Sequence, residues 1–153
     1  MSWLFFQDES GQDHRNAPLE VRGGVALHSS RVWSFVKSLQ DAEERCFGIR
    51  LGEVGSEIKG SRLLERKRFD WARQEATLDD ASRRKGARRF LTRSRQRESP
   101  SRRDFTAFGQ ASKKMAHEVF ASLRSHDAVL FASAIPRVTP LKTTGSSISC
   151  ERT

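Results

Sequence analysis

Residues 3–6 of this chain read Trp-Leu-Phe-Phe, four large apolar side chains in succession. No other stretch restricts the fold so much. A short run of this kind, ended by a turn signal, suits a strand buried on both faces. The turn signal is Ser10-Gly11, and two carboxylates, Asp8 and Glu9, come immediately before it. A central strand that carries an acid at its C-terminal end is a common way to build a metal or catalytic site in an open sheet. Side chains alternate across an extended strand, so Asp8 and Glu9 point to opposite faces, and Asp8 is the one expected to enter a site. The competing reading is a polar turn that simply closes a strand.

The remaining pattern alternates strands with helices. Residues 12–19 are polar, contain Pro18 and read as a loop. Residues 20–28 alternate around Val21, Val25 and Leu27 and predict a second strand, antiparallel to the first. Within it the Gly23-Gly24 pair marks a bulge or a close approach by another backbone or a ligand. Ser29-Ser30 is a plausible cap for a helix carrying Val32, Phe35, Val36, Leu39 and Cys46, and Gly48 is placed to stop it. Residues 50–60 read as a short strand or an ordered loop. From Ser61 a second helix is expected, with Leu64, Trp71 and Leu78 on one stripe. A third helix spans residues 101–125, with Phe105, Phe108, Met115, Val119, Phe120 and Leu123 on its buried face. Residues 128–135 form the second compact apolar run and the other candidate for a central strand. The expected fold is therefore α/β, or α+β in a strict reading: a mixed sheet centred on residues 3–8 and 128–135, with helices packed on it.

The net charge of +9 is concentrated in one place. Residues 83–103 hold ten Lys or Arg and one acid, Glu98, while the rest of the chain carries 18 of each sign. The cations are Arg83, Arg84, Lys85, Arg88, Arg89, Arg93, Arg95, Arg97, Arg102 and Arg103. A merely solvated helix face usually mixes its signs. This segment, read as a solvated helix or a mobile arm ending at Ser99-Pro100, points instead to a nucleic-acid phosphate backbone. No base-reading motif accompanies it. With 36% hydrophobic and 31% charged residues the core is lean, and ten Phe and three Trp are expected to supply much of it. Cys46 and Cys150 lie far apart and form no Cys-x-x-Cys pair, which disfavours a zinc ribbon or a disulfide framework and fits a reducing cytoplasm. No apolar run reaches transmembrane length, so no membrane partner is expected.

Several chemistries are excluded by motif. His117-Glu118 has no second histidine four positions on, and neither a Walker loop nor a dinucleotide fingerprint is present. Ser10 lacks the flanking glycines of a nucleophile elbow. His14, His28, His117 and His126 have no metal-ligand spacing, and solvated or core roles suit them. Glu57 and Lys59 share a side if their segment is extended. They could hold a metal and steer a phosphate, or pair with each other on the surface.

The strand ending in Asp8-Glu9-Ser10-Gly11, with Gly23-Gly24-Val25, Glu57-Ile58-Lys59-Gly60 and residues 128–133 (Ala-Val-Leu-Phe-Ala-Ser), resembles the DUF3800 family in order and spacing. The resemblance covers residues 1–137. It implies a ribonuclease H-like fold and a metal-dependent nuclease, with Asp8, Glu9, Glu57 and Lys59 as catalytic residues. Phosphodiester hydrolysis needs a nucleophilic water and relief of charge on the attacking and leaving oxygens, which one or two Mg²⁺ or Mn²⁺ ions supply. Such ions take carboxylate and water ligands. Asp8 and Glu57 would provide two ligands, and Asp127, beside the late strand, is the candidate for a third; it reads equally as a strand-start residue facing solvent. The resemblance stops near Pro136. Residues 138–153 are rich in Ser and Thr, read as a disordered or frame-shifted tail, and make the chain an expected truncated, inactive member whose third helix and Phe131 lose their cover. A non-catalytic nucleic-acid-binding module is the other reading.

Overall fold

The computed structural model describes residues 2–10 and 19–136. The expected turn at Gly11, the loop that follows it, Cys150 and the tail at 138–153 lie outside the described residues. The described residues divide into two compact units: residues 2–4 with 26–129, and residues 5–10 and 19–25 with 130–136.

The first unit is helical. A 3-10 turn at Ser29–Arg31 leads into α1 (Val32–Phe47). The expected serine cap is thus displaced. His28 accepts from the Ser30 N–H at the 3-10 turn, and α1 itself starts at Arg31 without a side-chain cap. Gly48 ends α1 in the left-handed region at φ 71°, as its position predicts. The helix expected from Ser61 is broken in two, α2 (Gly60–Leu63) and α3 (Arg66–Ala72). In consequence Leu63 is buried while Leu64 is exposed, and Leu78 lies outside the helix. α4 (Asp80–Arg95) and α5 (Arg102–Ser125) complete the unit.

α5 is the hub, packing on α1, α3 and α4. Two glycines set those crossings. A Cβ at Gly86 would stand 2.5 Å from the Ala107 Cβ, and one at Gly109 would stand 2.6 Å from both Ala72 N and Arg68 O. Only a missing side chain lets the backbones approach this closely. Aromatic rings fill the space beside them: Phe90 stacks on Phe108 at 4.2 Å, and Trp71 meets Phe105 edge-on at 4.8 Å. Phe47, Met115 and Ala111 extend the same core. Phe120, expected on the buried face of α5, is exposed instead. The rest of that face is covered: Phe108 and Met115 are buried, and Phe105, Val119 and Leu123 are at least half-buried.

The strands β1 (Trp3–Ser10), β2 (Leu19–His28) and β3 (Val129–Pro136) form one antiparallel sheet in the order β1-β2-β3. The central strand is therefore β2, and the two apolar runs expected at the centre are its edges. Trp3, Leu4, Phe5 and Phe6 are all exposed, Phe5 to 70%. Burial on both faces requires a layer on each side of the sheet, and an edge strand also lacks a neighbour. The close approach expected at the glycine pair is present: a Cβ at Gly24 would meet Phe6 O at 2.3 Å and Phe131 Cζ at 2.6 Å. The architecture is α+β with a small sheet. Among the described residues no helix is long and apolar enough to cross a membrane.

Gly109→Ala is expected to destabilise by about 1–3 kcal/mol, because the new methyl meets backbone that cannot yield. Gly52→Ala, where a Cβ would have nothing within 4 Å, is expected to stay within about 0.5 kcal/mol of the parent. Paired thermal melts check both; equal melting temperatures for the two variants would refute the packing argument.

Candidate functional site

The basic segment is a structured helix rather than an arm, and local signals mark its start. Asp79 caps α4 by accepting from the Ser82 N–H at 2.9 Å, and Asp80 occupies the first turn. Helical periodicity then sorts the cations. Arg83, Gly86, Ala87 and Leu91 face inward and are buried. Arg89 and Arg93 reach sideways to Asp104, the acid just beyond the charged window and only 1% exposed. Arg84, Lys85 and Arg88 face outward and make no ion pair among the described residues.

Reading the sequence by its charge alone overlooks Asp104, although Ser101-x-x-Asp104 is a capping-box pattern. Its Oδ2 accepts from the Ser101 N–H at 3.1 Å and from the Ser101 hydroxyl at 2.8 Å, while the Asp104 N–H donates to Ser101 Oγ at 3.2 Å. Arg89 Nε donates to Oδ1 at 2.9 Å and Arg93 Nη1 to Oδ2 at 3.2 Å. Burial alone would raise this carboxyl; the Ser101 hydrogen bonds and the Arg89 guanidinium outweigh it and hold it below the ordinary aspartate value. One carboxylate thus caps α5 and ties α4 to it.

The remaining cations of the segment are placed less freely than their number suggests. Arg95 donates to the Glu53 carbonyl at 3.0 Å and Arg102 to the Gln74 carbonyl at 3.2 Å. Arg97 takes a positive φ of 59° at the turn after α4, and Arg103 stands exposed in the first turn of α5. Arg84, Lys85, Arg88 and Arg89 line an open groove of about 790 Å³ against the end of α1, where Arg45 and Arg50 join them. Glu118 engages Arg45 at 2.8 Å and Glu44 engages Arg50 at 2.5 Å. Asp41, Glu44 and Glu53 also line the groove, so its six cations exceed three carboxylates and its lining stays net positive. Gly48 allows the groove to form: a Cβ there would stand 3.2 Å from the Arg84 Cβ.

The acids named from sequence each have neighbours of their own. Asp8 is exposed on β1 and accepts from the Glu9 N–H at 2.9 Å; Glu9 lies 3.8 Å from Arg22. Glu57 and Lys59 sit on an exposed loop and pair with each other at 2.9 Å, and the Lys59 ammonium holds the Glu57 carboxyl below its usual range. Asp127, at φ 49° in the turn before β3, pairs with Arg31. It lines a cavity of about 450 Å³ with His28 and His126. Those imidazoles already have local partners: His28 Nδ1 meets Ser30 Oγ at 2.7 Å and His126 Nδ1 meets the Ser122 carbonyl at 2.7 Å. Among the described residues no group of three or more His, Cys, Asp or Glu is gathered that could hold a metal ion. Cys46 is buried, and desolvation pushes its thiol up to about 11, which suits packing rather than reactivity.

No family model matches the chain, and comparison with curated proteins and with solved structures returns no match. The resemblance to DUF3800 rests on its short motifs, and function has to be argued from the geometry above.

A carboxyl whose pKa is depressed on folding contributes stability above its unfolded value and loses it as pH falls through the folded one. Asp104→Asn is therefore expected to cost about 2–4 kcal/mol at pH 7, since it leaves two guanidinium groups facing a neutral amide. The melting-temperature gap from the parent should be constant above about pH 5 and narrow below about pH 4, where Asp104 itself protonates. A gap that does not change down to pH 3 would refute the charge role of Asp104.

Proposed function

We propose that this protein binds the phosphodiester backbone of nucleic acid, without sequence preference, through the groove between α4 and the end of α1. The observation that carries the reading is the outward row Arg84, Lys85 and Arg88. These are three cations on a packed helix with no acidic partner among the described residues, at the wall of an open groove. Exposed cations left uncompensated on a rigid element attract a polyanion and release its condensed counterions. Arg97 and Arg103 are exposed as well. The sequence carries no base-reading motif, so the expected contacts are to phosphate rather than to bases.

Metal-dependent cleavage, which the family resemblance implies, is not part of this proposal. It would need carboxylates converging on one ion, and Asp8, Glu57 and Asp127 each keep a separate neighbour. The non-catalytic reading needs only the groove.

Arg84→Gln, Lys85→Gln and Arg88→Gln combined should leave the fold intact, because all three side chains are exposed. Binding to mixed-sequence RNA and DNA oligonucleotides, followed by anisotropy across salt concentrations, should weaken similarly for every sequence. The slope of log affinity against log salt should flatten by about two to three, close to one for each phosphate no longer neutralised. An unchanged slope, or a parent protein whose binding ignores salt, overturns the proposal.

A further inference from the structure

Trp3, Leu4, Phe5 and Phe6 are 45–70% exposed on β1. Among the described residues β1 pairs with β2 alone, so its outer row of N–H and C=O groups has no strand beside it. Such an edge is a template for another strand, and proteins that keep one free commonly blunt it with Lys or Pro. Residues 3–7, Trp-Leu-Phe-Phe-Gln, hold neither. The strand's only charges are Asp8 and Glu9, past that stretch, so this edge does not suit the polyanion proposed for the groove.

The side chain at the middle of the stretch is braced. Phe5 meets Phe131 of β3 edge-on, with ring centroids 6.3 Å apart. The two strands flank β2, and the contact crosses it beside Gly24, where a Cβ would stand 2.6 Å from Phe131 Cζ. Phe5 is thus held by a neighbouring ring and still widely exposed. Aromatic side chains placed in this way serve as anchors of interfaces.

We propose that β1 pairs antiparallel with β1 of a second copy, joining two three-stranded sheets into one of six strands. A two-fold axis perpendicular to the sheet closes this pairing and keeps every side chain on its own face. With the axis at Phe5, Phe5 faces Phe5 of the second copy, Phe6 faces Leu4 and Trp3 faces Gln7. Every large apolar residue of the stretch then meets an apolar or neutral one. Asp8 falls opposite Ser2, so no two carboxylates are paired. The four apolar side chains expose on the order of 400 Å² per copy, about half of roughly 200 Å² each. Over two copies, with the strand backbone added, that meets the roughly 1,000 Å² a specific interface needs. The opposite edge, β3, is less suited because Ala132, Ser133 and Ala134 occupy its middle. A β1-to-β3 contact would not close, and would add copies without end.

The test is sedimentation velocity of the full chain across micromolar concentrations, which should resolve a dimer that grows no further. Phe5→Lys sets two like charges opposite each other at the axis and should weaken the dimer by about tenfold or more. Leu130→Lys, at an exposed apolar position on the far edge, should leave it intact. A disulfide reads the register without a disruptive charge. With Cys150→Ser as background and Cys46 buried, Phe5→Cys should give a covalent dimer under a mild oxidant and Asp8→Cys should not. A parent that stays monomeric at every concentration, or association that continues past the dimer, overturns the proposal. So does equal weakening by Leu130→Lys, or cross-linking through Asp8→Cys as readily as through Phe5→Cys.

Discussion

The carboxylate of Asp104 is the point on which the helical unit depends. It lies at the third position of α5, where the first turn leaves backbone N–H groups without partners, and with Ser101 it satisfies two of them reciprocally. The same carboxylate receives Arg89 and Arg93 from α4. A buried acid with only one kind of partner would be costly. This one has hydroxyl, backbone and two guanidinium donors, so its charge is balanced where it stands. The close crossing at Gly86 and Ala107 and the stack of Phe90 on Phe108 then follow on the same two helices.

That clasp changes what the basic run means. Ten cations and one acid look like a uniform positive surface when the window ends at Arg103. Extending it one residue brings in the acid that holds two of them. A helix turns by about 100° per residue, so neighbours in sequence face different surroundings. Arg83 turns inward, Arg89 and Arg93 toward α5, and Arg84, Lys85 and Arg88 toward solvent. The positive face available to a partner is narrower than the sequence suggests, and it is rigid because the helix beneath it is anchored.

Signals that act locally are readable from the sequence. Gly48 stops α1, the bounds of α5 fall within a residue of the pattern's, and Gly24 sits where two neighbours crowd the backbone. Decisions made by tertiary context are not. The apolar run at residues 3–6 is indifferent to whether layers cover it, and the structure leaves it exposed on an edge strand. Nothing in the spacing of Leu64 and Leu78 announces the break between α2 and α3. The cap at Asp79 and the box at Ser101 are visible as patterns, but a count of charges hides them, since charge alone does not distinguish an acid that caps from one that floats.

Among the described residues no three His, Cys, Asp or Glu side chains gather so as to hold a metal ion, and the acids named from sequence differ in the support each one has. The Glu57–Lys59 pair is exposed at both ends, and such pairs contribute little, so it would not by itself keep a divalent ion away. What an ion requires is several oxygens at one point, delivered by separate elements of fixed orientation. Glu57 lies on a loop with no regular structure, and Asp127 lies on a turn held by Arg31. Asp8 and Glu9 are adjacent on an extended strand, which directs them to opposite faces. Asp104 presents the reverse case. It sits on a packed helix, and that fixed position lets one carboxylate meet the Ser101 donors and two guanidinium groups at once. Rigid support decides which charged residues can act together, and Asp104 has it where Glu57 and Asp127, on a loop and a turn, do not.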